Sequence, residues 1–316
     1  MRARAHGVTV IGISAPAAAR FDVVGVGVNA VDHLCSVDTF PTFDSKQALA
    51  AYDCQPGGQV ATALVALQRW GCRTLYVGTF GDGPLAELSR RSLADEGIDV
   101  SRAPGRRGVA NQTAVILVDR ASGERTILMH RPSALTLRPD ELDRDLVTAG
   151  RVLHLDGYDA DAAYTAATWA RAAGVPVVVD VDTGVASVER LLAITDAVIL
   201  SREFACNLTG TADADAALAA LVATTRAPLV AITLGAAGVI ATTAAGTLRV
   251  PGYAVQSVDT TGAGDIFRAG FIYGLLRDWS LERTLRFANA TAALKCAKLG
   301  GRPGIPTVAA AEAMIG

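Results

Sequence analysis

The chain has 316 residues, 51% of them hydrophobic and 19% charged, which is enough apolar material for one large domain or one domain with a small appendage. A formal net charge of −2 excludes the basic footprint expected of a nucleic-acid or anionic-membrane binder, and no apolar run reaches the roughly 18 to 20 residues of a spanning helix. The five cysteines are scattered, with no Cys-x-x-Cys pair, and read as reduced thiols of a reducing compartment.

Residues 1–20 read as an extension ahead of the first core strand. Arg2 and Arg4 precede a short apolar run at 8–13, a faint outline of a signal peptide, although a loose extension is the simpler reading. From residue 21 onward, apolar β-branched runs alternate with helical patterns. Strands are expected at 21–27, 73–78, 151–156, 176–181, 196–201 and 228–234, and helices at 58–70, 84–96, 161–173, 213–225 and 265–277. The strand candidates are continuously apolar rather than alternating, the mark of a mainly parallel sheet covered by helices on both faces. Two stretches break the rhythm. Residues 35–54 carry Pro41, Asp44 and Ser45 without helical period, and residues 109–130 read as a hairpin turning at Ala121-Ser122-Gly123. Paired together they would form a small inserted β-sheet, serving as a lid over one end of the doubly wound α/β domain at 21–316.

The strongest signal is Val258-Asp259-Thr260-Thr261-Gly262-Ala263-Gly264-Asp265, followed by Ile266-Phe267-Arg268-Ala269-Gly270-Phe271. Glycines let backbone N–H groups approach an anion without a Cβ between them. A helix start then adds unsatisfied donors and a positive dipole end. Such a loop suits a phosphoryl group that gathers negative charge during transfer. Asp265 stands at its mouth, either as a base toward an attacking hydroxyl or simply as a cap of the helix.

Asp-Thr-Thr-Gly-Ala-Gly-Asp-x-Phe resembles the C-terminal signature of the ribokinase/PfkB sugar kinases, and the resemblance extends over nearly the whole chain from Phe21. Gly25-x-Gly27-x-Asn29-x-x-Asp32 looks like the family's first strand and substrate-binding Asp, and Gly57-Gly58-Gln59 like its di-glycine signature. Thr233-Leu234-Gly235-Ala236-Ala237-Gly238 is similar to the nucleotide loop, and Phe287-Ala288-Asn289 to Gly300-Gly301 to the adenine side. The resemblance implies an ATP- and Mg2+-dependent sugar kinase with Asp265 as base and Gly262, Ala263 and Gly264 as the anion hole. It implies sugar contacts from Asn29, Asp32, Gly57, Gly58, Gln59 and Thr62, and ATP contacts from Thr233, Gly235, Gly238, Asn289 and Gly301. A monovalent cation such as K+ would sit on the carbonyls of Asp259 and Thr261. The product would be a cytoplasmic enzyme, a homodimer through the lid, with a small-molecule sugar and ATP as its only ligands.

The tail Ala292-Ala293-Leu294-Lys295-Cys296 with Gly300-Gly301-Arg302-Pro303-Gly304 resembles the branch containing ketohexokinase and sulfofructose kinase. Asp44 falls where ketohexokinase-like members carry a second, lid-borne sugar-binding Asp. Two departures stand out: Thr62 replaces the family's sugar-binding Asn, and Leu200-Ser201-Arg202-Glu203 replaces its magnesium-organising Asn-x-x-Glu. Glu203 then reads mainly as a solvated acid at a helix start. Lys46 and Arg131 are candidate anion contacts in lid segments, though exposed lid charge is the simpler account. Gly157 follows Asp156 where an anionic-sugar kinase would place an Arg, which favours a neutral ketose such as fructose. A nucleoside or anionic sugar is the alternative substrate, and a non-catalytic sugar-binding regulator the alternative class. The half-fingerprint Gly25-x-Gly27-x-x-Ala30 does not open a helix, so a nicotinamide enzyme is disfavoured. His6, His33, His130 and His154 lack metal-ligand spacing.

Overall fold

The computed structural model describes residues 13–182 and 188–316. The chain runs β1 (Phe21–Val26), β2 (Ala30–Val37), β3 (Ala51–Gly57), α1 (Gln59–Arg69), β4 (Thr74–Val77), β5 (Phe80–Asp82), α2 (Pro84–Ala94), β6 (Gly105–Ala110), β7 (Thr113–Asp119) and β8 (Arg125–His130). It continues through α3 (Arg144–Val147), β9 (Gly150–Leu155), α4 (Ala160–Ala172), β10 (Val177–Val181), α5 (Val188–Leu192), β11 (Ala197–Ser201) and α6 (Arg202–Thr209). The last third contains α7 (Ala214–Thr225), β12 (Leu229–Thr233), β13 (Val239–Thr243), β14 (Gly246–Val250), α8 (Ala263–Leu276), α9 (Leu281–Lys295) and α10 (Val308–Ile315).

The main sheet has eight strands in the order β14-β13-β12-β11-β10-β9-β1-β4. From β4 to β12 every pairing is parallel, and β13 and β14 extend the sheet antiparallel. Both faces are covered. α1, α8 and α9 pack on one side around Val60, Leu64, Phe271 and Phe287, while α4, α5, α6 and α7 bury Ala163, Leu192, Phe204 and Leu218 on the other. Fully buried valines and leucines of this kind contribute about 1.5 to 3 kcal/mol each, so the doubly covered strands anchor the fold. Behind α8 and α9, Tyr273 and Phe287 stack at 5.3 Å with Trp70 and Trp279 edge-on, which fixes α8 against its neighbours.

A second sheet of four strands, β3-β2-β7-β8, stands apart from the first. Its inner face, Leu34, Ala114, Ile116 and Val118, packs on Leu299 of the main body. The sheet begins at Ala30, earlier than the expected 35–54 segment, so Asp32 lies on a strand rather than in irregular chain. The 113–119 and 125–130 hairpin forms as expected. The extension ahead of β1 is docked from residue 13: Ile13 is buried in the main core, and Arg151 Nε donates to the Pro16 carbonyl at 2.6 Å. Arg2, Arg4, His6 and nearly all of the 8–13 run lie outside the described residues.

Candidate active site

The parallel strands end together at Asp156, Asp182, Ser201 and Thr233, the edge at which open α/β sheets bind ligands. The loop before α8 arrives at the same edge. Gly262 is the N-cap, in a left-handed conformation with φ 78°, and its Cβ would stand 2.9 Å from Gly301 Cα. That close approach requires glycine at 262. Helix α8 starts at Ala263, two residues earlier than the expected 265, which puts Asp265 on the first turn and not at the cap. No side chain caps this helix, so the capping account of Asp265 is set aside. Ala263 N donates to the Thr260 carbonyl at 3.2 Å and is thereby engaged in the turn; the first-turn N–H groups that follow have no acceptor within the helix and face the cleft edge as donors.

Asp265 makes no hydrogen bond among the described residues. Burial lifts its carboxyl to about 6, with Arg268 pulling it down and Asp182 pushing it up. That is close to the range in which a carboxylate works as a general base near neutrality. Arg268 lies on the next turn of α8 and is itself buried. Its Nε meets Asp180 at 2.9 Å and its Nη2 donates to the Ile199 carbonyl at 2.8 Å. A Cβ on Gly264 would stand 2.7 Å from Arg268 Nη1. The bare side of Gly264 therefore makes room for the guanidinium. This is a different reason for glycine than the anion approach expected from sequence.

Asp32 enters from β2, opposite Gln55 of β3. Burial raises its carboxyl to about 7, opposed by Arg302 and reinforced by Asp265 and Asp259. No partner engages that carboxylate among the described residues. Gly57 passes so close that a Cβ there would stand 2.1 Å from Asp32 Oδ2, and Gly58 caps α1 at φ 93°. Gln59 opens α1 with its Oε1 buried and unpartnered, and Gln55 and Gln112 each have a side-chain oxygen in the same state. Thr62 is buried one turn along α1, where Arg302 Nε reaches it at 3.4 Å.

Two expected sugar contacts fall elsewhere. Asn29 spends its whole amide internally: Nδ2 donates to Tyr76 Oη and the Thr79 carbonyl, both at 2.7 Å, and Oδ1 accepts from Ser89 Oγ at 2.7 Å and Asn111 at 3.3 Å. It braces the cleft floor and has no capacity left for a ligand. Asp44 is exposed, at φ 58°, in the loop between β2 and β3. The register places that loop beyond the Ser36–Ala51 pair, about 13 Å along the strand from Asp32 at ~3.3 Å per residue. The structure does not bring the two carboxylates together.

Of the residues expected to contact ATP, Thr233 ends β12, and Gly235 opens a 3-10 turn (Gly235–Ala237). Gly238 closes it at φ 97° against the Val250 carbonyl. Asn289 donates to the Val250 and Pro251 carbonyls at 3.2 and 3.0 Å, so its amide nitrogen holds the strand end and only Oδ1 is open. Gly301 lies against Gly262 and Thr62, between the loop before α8 and α1. The Asp259 carboxylate accepts from Thr261 N at 2.8 Å and Gly300 N at 2.7 Å, and its carbonyl accepts from Lys295 Nζ at 2.8 Å. The Thr261 hydroxyl is buried without a partner among the described residues.

The sequence profile of the pfkB family carbohydrate kinases matches residues 22–308. The chain belongs to that family. This kinase is 34% identical to the fructokinase of Klebsiella pneumoniae, over 70% of this chain and 76% of that protein. Its fold is similar to the adenosine kinase of Sinorhizobium meliloti, with a TM-score of 0.82 at 25% identity over 94% of this chain and 100% of the other. It also matches an Arabidopsis thaliana ribokinase solved with ribose and ATP, with a TM-score of 0.78 at 22% identity over 93% and 98% of the two chains. The protein is a phosphotransferase whose acceptor is a hydroxyl group.

Four cations of the kinase escape a reading of its sequence: Arg125, Arg268, Lys295 and Arg302. Arg125 of β8 reaches the loop before α8, its Nη1 donating to Thr260 Oγ1 at 2.8 Å, and Thr260 N donates to the Gly123 carbonyl in the adjoining hairpin turn. Arg302 is buried with Nη2 on the Gly57 carbonyl and Nη1 on Ser92 Oγ, both at 2.9 Å. Arg131, expected as exposed lid charge, is instead half-buried in an ion pair with Asp159 at 2.9 Å. Lys46 and Glu203 are exposed. His33 faces outward on β2 and bonds Tyr52 Oη at 2.8 Å, and His154 is a core histidine bonded to the Val178 carbonyl at 3.1 Å.

Proposed function

We propose that this kinase transfers the γ-phosphoryl group of ATP to a hydroxyl of a neutral sugar, a ketose such as fructose, with Asp265 taking the hydroxyl proton. The observation that carries the substrate assignment is the chemistry of the unpartnered atoms. Asp32 offers a free carboxylate, and Gln55, Gln59 and Gln112 each offer a buried side-chain oxygen, all at the end of the small sheet nearest α1. These are acceptors, and their natural complement is a ring of hydroxyl donors. A phosphate or sulfonate would face carboxylate and carbonyl oxygens instead, while Arg131 and Arg302, the buried cations nearest in sequence to such a role, are already engaged by Asp159 and by Gly57, Ser92 and Thr62.

In this reading the sugar lies between Asp32 and Asp265, and the first-turn donors of α8 meet the charge that develops on the transferred group. Thr233, Gly235 and Gly238 bound the nucleotide side. Mg2+ enters with ATP, held largely by phosphate oxygens and water. The small sheet acts as the lid, and the Arg125–Thr260 bond ties its hairpin to the anion loop. Exposed Tyr52, Leu128 and Met129 on that sheet support a homodimer formed through it, and the use of ATP supports a cytoplasmic location.

An ADP-release assay across neutral ketoses, aldoses, nucleosides and sugar phosphates tests the reading. The highest kcat/KM is expected on a neutral ketose. A nucleoside or anionic sugar preferred by about tenfold, 1.4 kcal/mol of transition-state binding, would overturn the substrate assignment.

A further inference from the structure

Of the two carbonyls expected to hold a monovalent cation, those of Asp259 and Thr261, the first already accepts from a charge of the protein's own. Lys295 is the last residue of α9 and is fully buried. Its ammonium donates to the Asp259 carbonyl at 2.8 Å. Other oxygens around it are engaged as well: the Asp259 carboxylate accepts from the N–H groups of Thr261 and Gly300, and the Cys296 carbonyl accepts from those of Val258 and Asp259, while the Thr261 hydroxyl stays buried without a partner among the described residues. These residues do not fit a potassium ion, which would need the same oxygens and would stand against a like charge.

We propose that the Lys295 ammonium is a built-in cation that stands in place of a monovalent metal ion beneath the anion loop, so that the kinase works without potassium. The inference rests on reading the 259–265 loop as the phosphoryl site. An ammonium and a potassium ion suit the same ring of carbonyl oxygens, but the lysine is tethered and loses no translational freedom when it binds. Its position is favourable for a charge, because the C-terminal end of a helix carries the negative pole of the dipole and the buried Asp259 carboxylate lies on the residue whose carbonyl it bonds. Burial pulls the Lys295 pKa down, the charges of Asp259 and Asp265 and the Cys296 thiol pull it up, and Arg125 opposes them. Through the Asp259 carbonyl the Lys295 side chain holds the loop that leads into Gly262.

The full chain should be assayed in potassium, sodium and tetramethylammonium chlorides at equal ionic strength, with Mg2+ and ATP saturating. Rates within about twofold of one another are expected, and activation by potassium of about tenfold or more overturns the proposal. Thermal unfolding in the same salts needs no substrate, so it speaks even if no sugar is turned over, an outcome that would count against the kinase reading and not against the lysine. Superimposable midpoints are expected, and a rise specific to potassium overturns the proposal. Lys295→Met keeps the chain length and removes the charge. A folded variant is expected to lose about tenfold or more in kcat, and one that turns over at the wild-type rate would refute the assignment. If Lys295→Met does not fold, the two salt experiments on the wild-type chain still decide.

Discussion

Asp265 and Asp32 are both carboxylates lifted by burial, yet they stand on unlike scaffolds. Asp265 rides on a helix wedged between α1 and α9 and is backed by Arg268, Asp180 and the ends of doubly covered strands. Asp32 rides on a four-stranded sheet of which one outer strand, β8, is exposed throughout and the other, β3, is exposed at its first three residues. On the proposed roles, the group that holds one proton-transfer geometry is mounted on the rigid half. A group that must admit and release a ligand is mounted on the half with less buried apolar contact, from which opening is less costly. Substitutions on the helix should therefore fall on kcat, and substitutions on the sheet on KM.

The largest effect is expected at Asp265. Asp265→Asn keeps the shape and removes the base, and should lower kcat by about 10²- to 10⁴-fold while ATP still binds, as read by steady-state kinetics and nucleotide titration. Retention of more than about half of kcat would remove Asp265 from the chemistry and the comparison with it. Gly264→Ala comes next. Its Cβ would collide with Arg268 Nη1 and push the guanidinium off Asp180, disturbing the first-turn donors. A loss of about a hundredfold in kcat is expected, with the sugar KM nearly unchanged. A rise confined to KM would mean that the helix start binds the sugar and not the transferred group.

These effects also mark what the sequence discloses. The 258–265 string is legible because one contiguous loop carries the glycines and the acid together. The main strands are legible because burial on both faces writes an unbroken apolar run. The buried cations are not, since a single lysine or arginine reads as surface charge until tertiary packing covers it. Arg268 did leave a trace, as the one charge in Ile266-Phe267-Arg268-Ala269-Gly270-Phe271, and Lys295 a similar one behind Ala292-Ala293-Leu294. Asn29 has a residue type that suits a sugar, while the partners that take up its amide, Tyr76, Thr79, Ser89 and Asn111, are distant in sequence. Asp44 lies in a loop that the β2–β3 register carries away from Asp32, and a position in the chain does not by itself disclose that register.

On the sheet, Asp32→Ala removes a buried carboxylate–hydroxyl bond worth about 1.5 to 3 kcal/mol, so the sugar KM should rise roughly ten- to a hundredfold with kcat less affected. The wild-type pH profile carries the same signature. With its carboxyl near 7 in the free protein, Asp32 is protonated as pH falls, and only the ionised form accepts hydrogen bonds at both oxygens. The sugar KM should therefore climb as pH drops below 7, and Asp32→Asn should flatten that climb. A KM that stays constant down to the acid limb of Asp265 would mean that the sugar does not bond Asp32.

The smallest effect is expected at the far end of the same sheet. Asp44 and Lys46 share an exposed loop, separated from Asp32 by the length of the β2–β3 hairpin. An exposed charge without a partner contributes about 0 to 1 kcal/mol, so Asp44→Ala and Lys46→Ala should each change the sugar KM by less than about fivefold. The two variants sharpen the comparison because they divide the sheet by position and not by residue type: Asp32 and Asp44 are the same side chain at opposite ends. If Asp44→Ala raises KM as much as Asp32→Ala does, the loop reaches a sugar by a route the single chain does not provide. The same measurement at increasing protein dilution would then show whether a second copy supplies it. If Lys46→Ala is the more damaging of the pair, a cation is meeting an anionic substrate, and the neutral-sugar assignment gives way to a phosphosugar or sulfosugar.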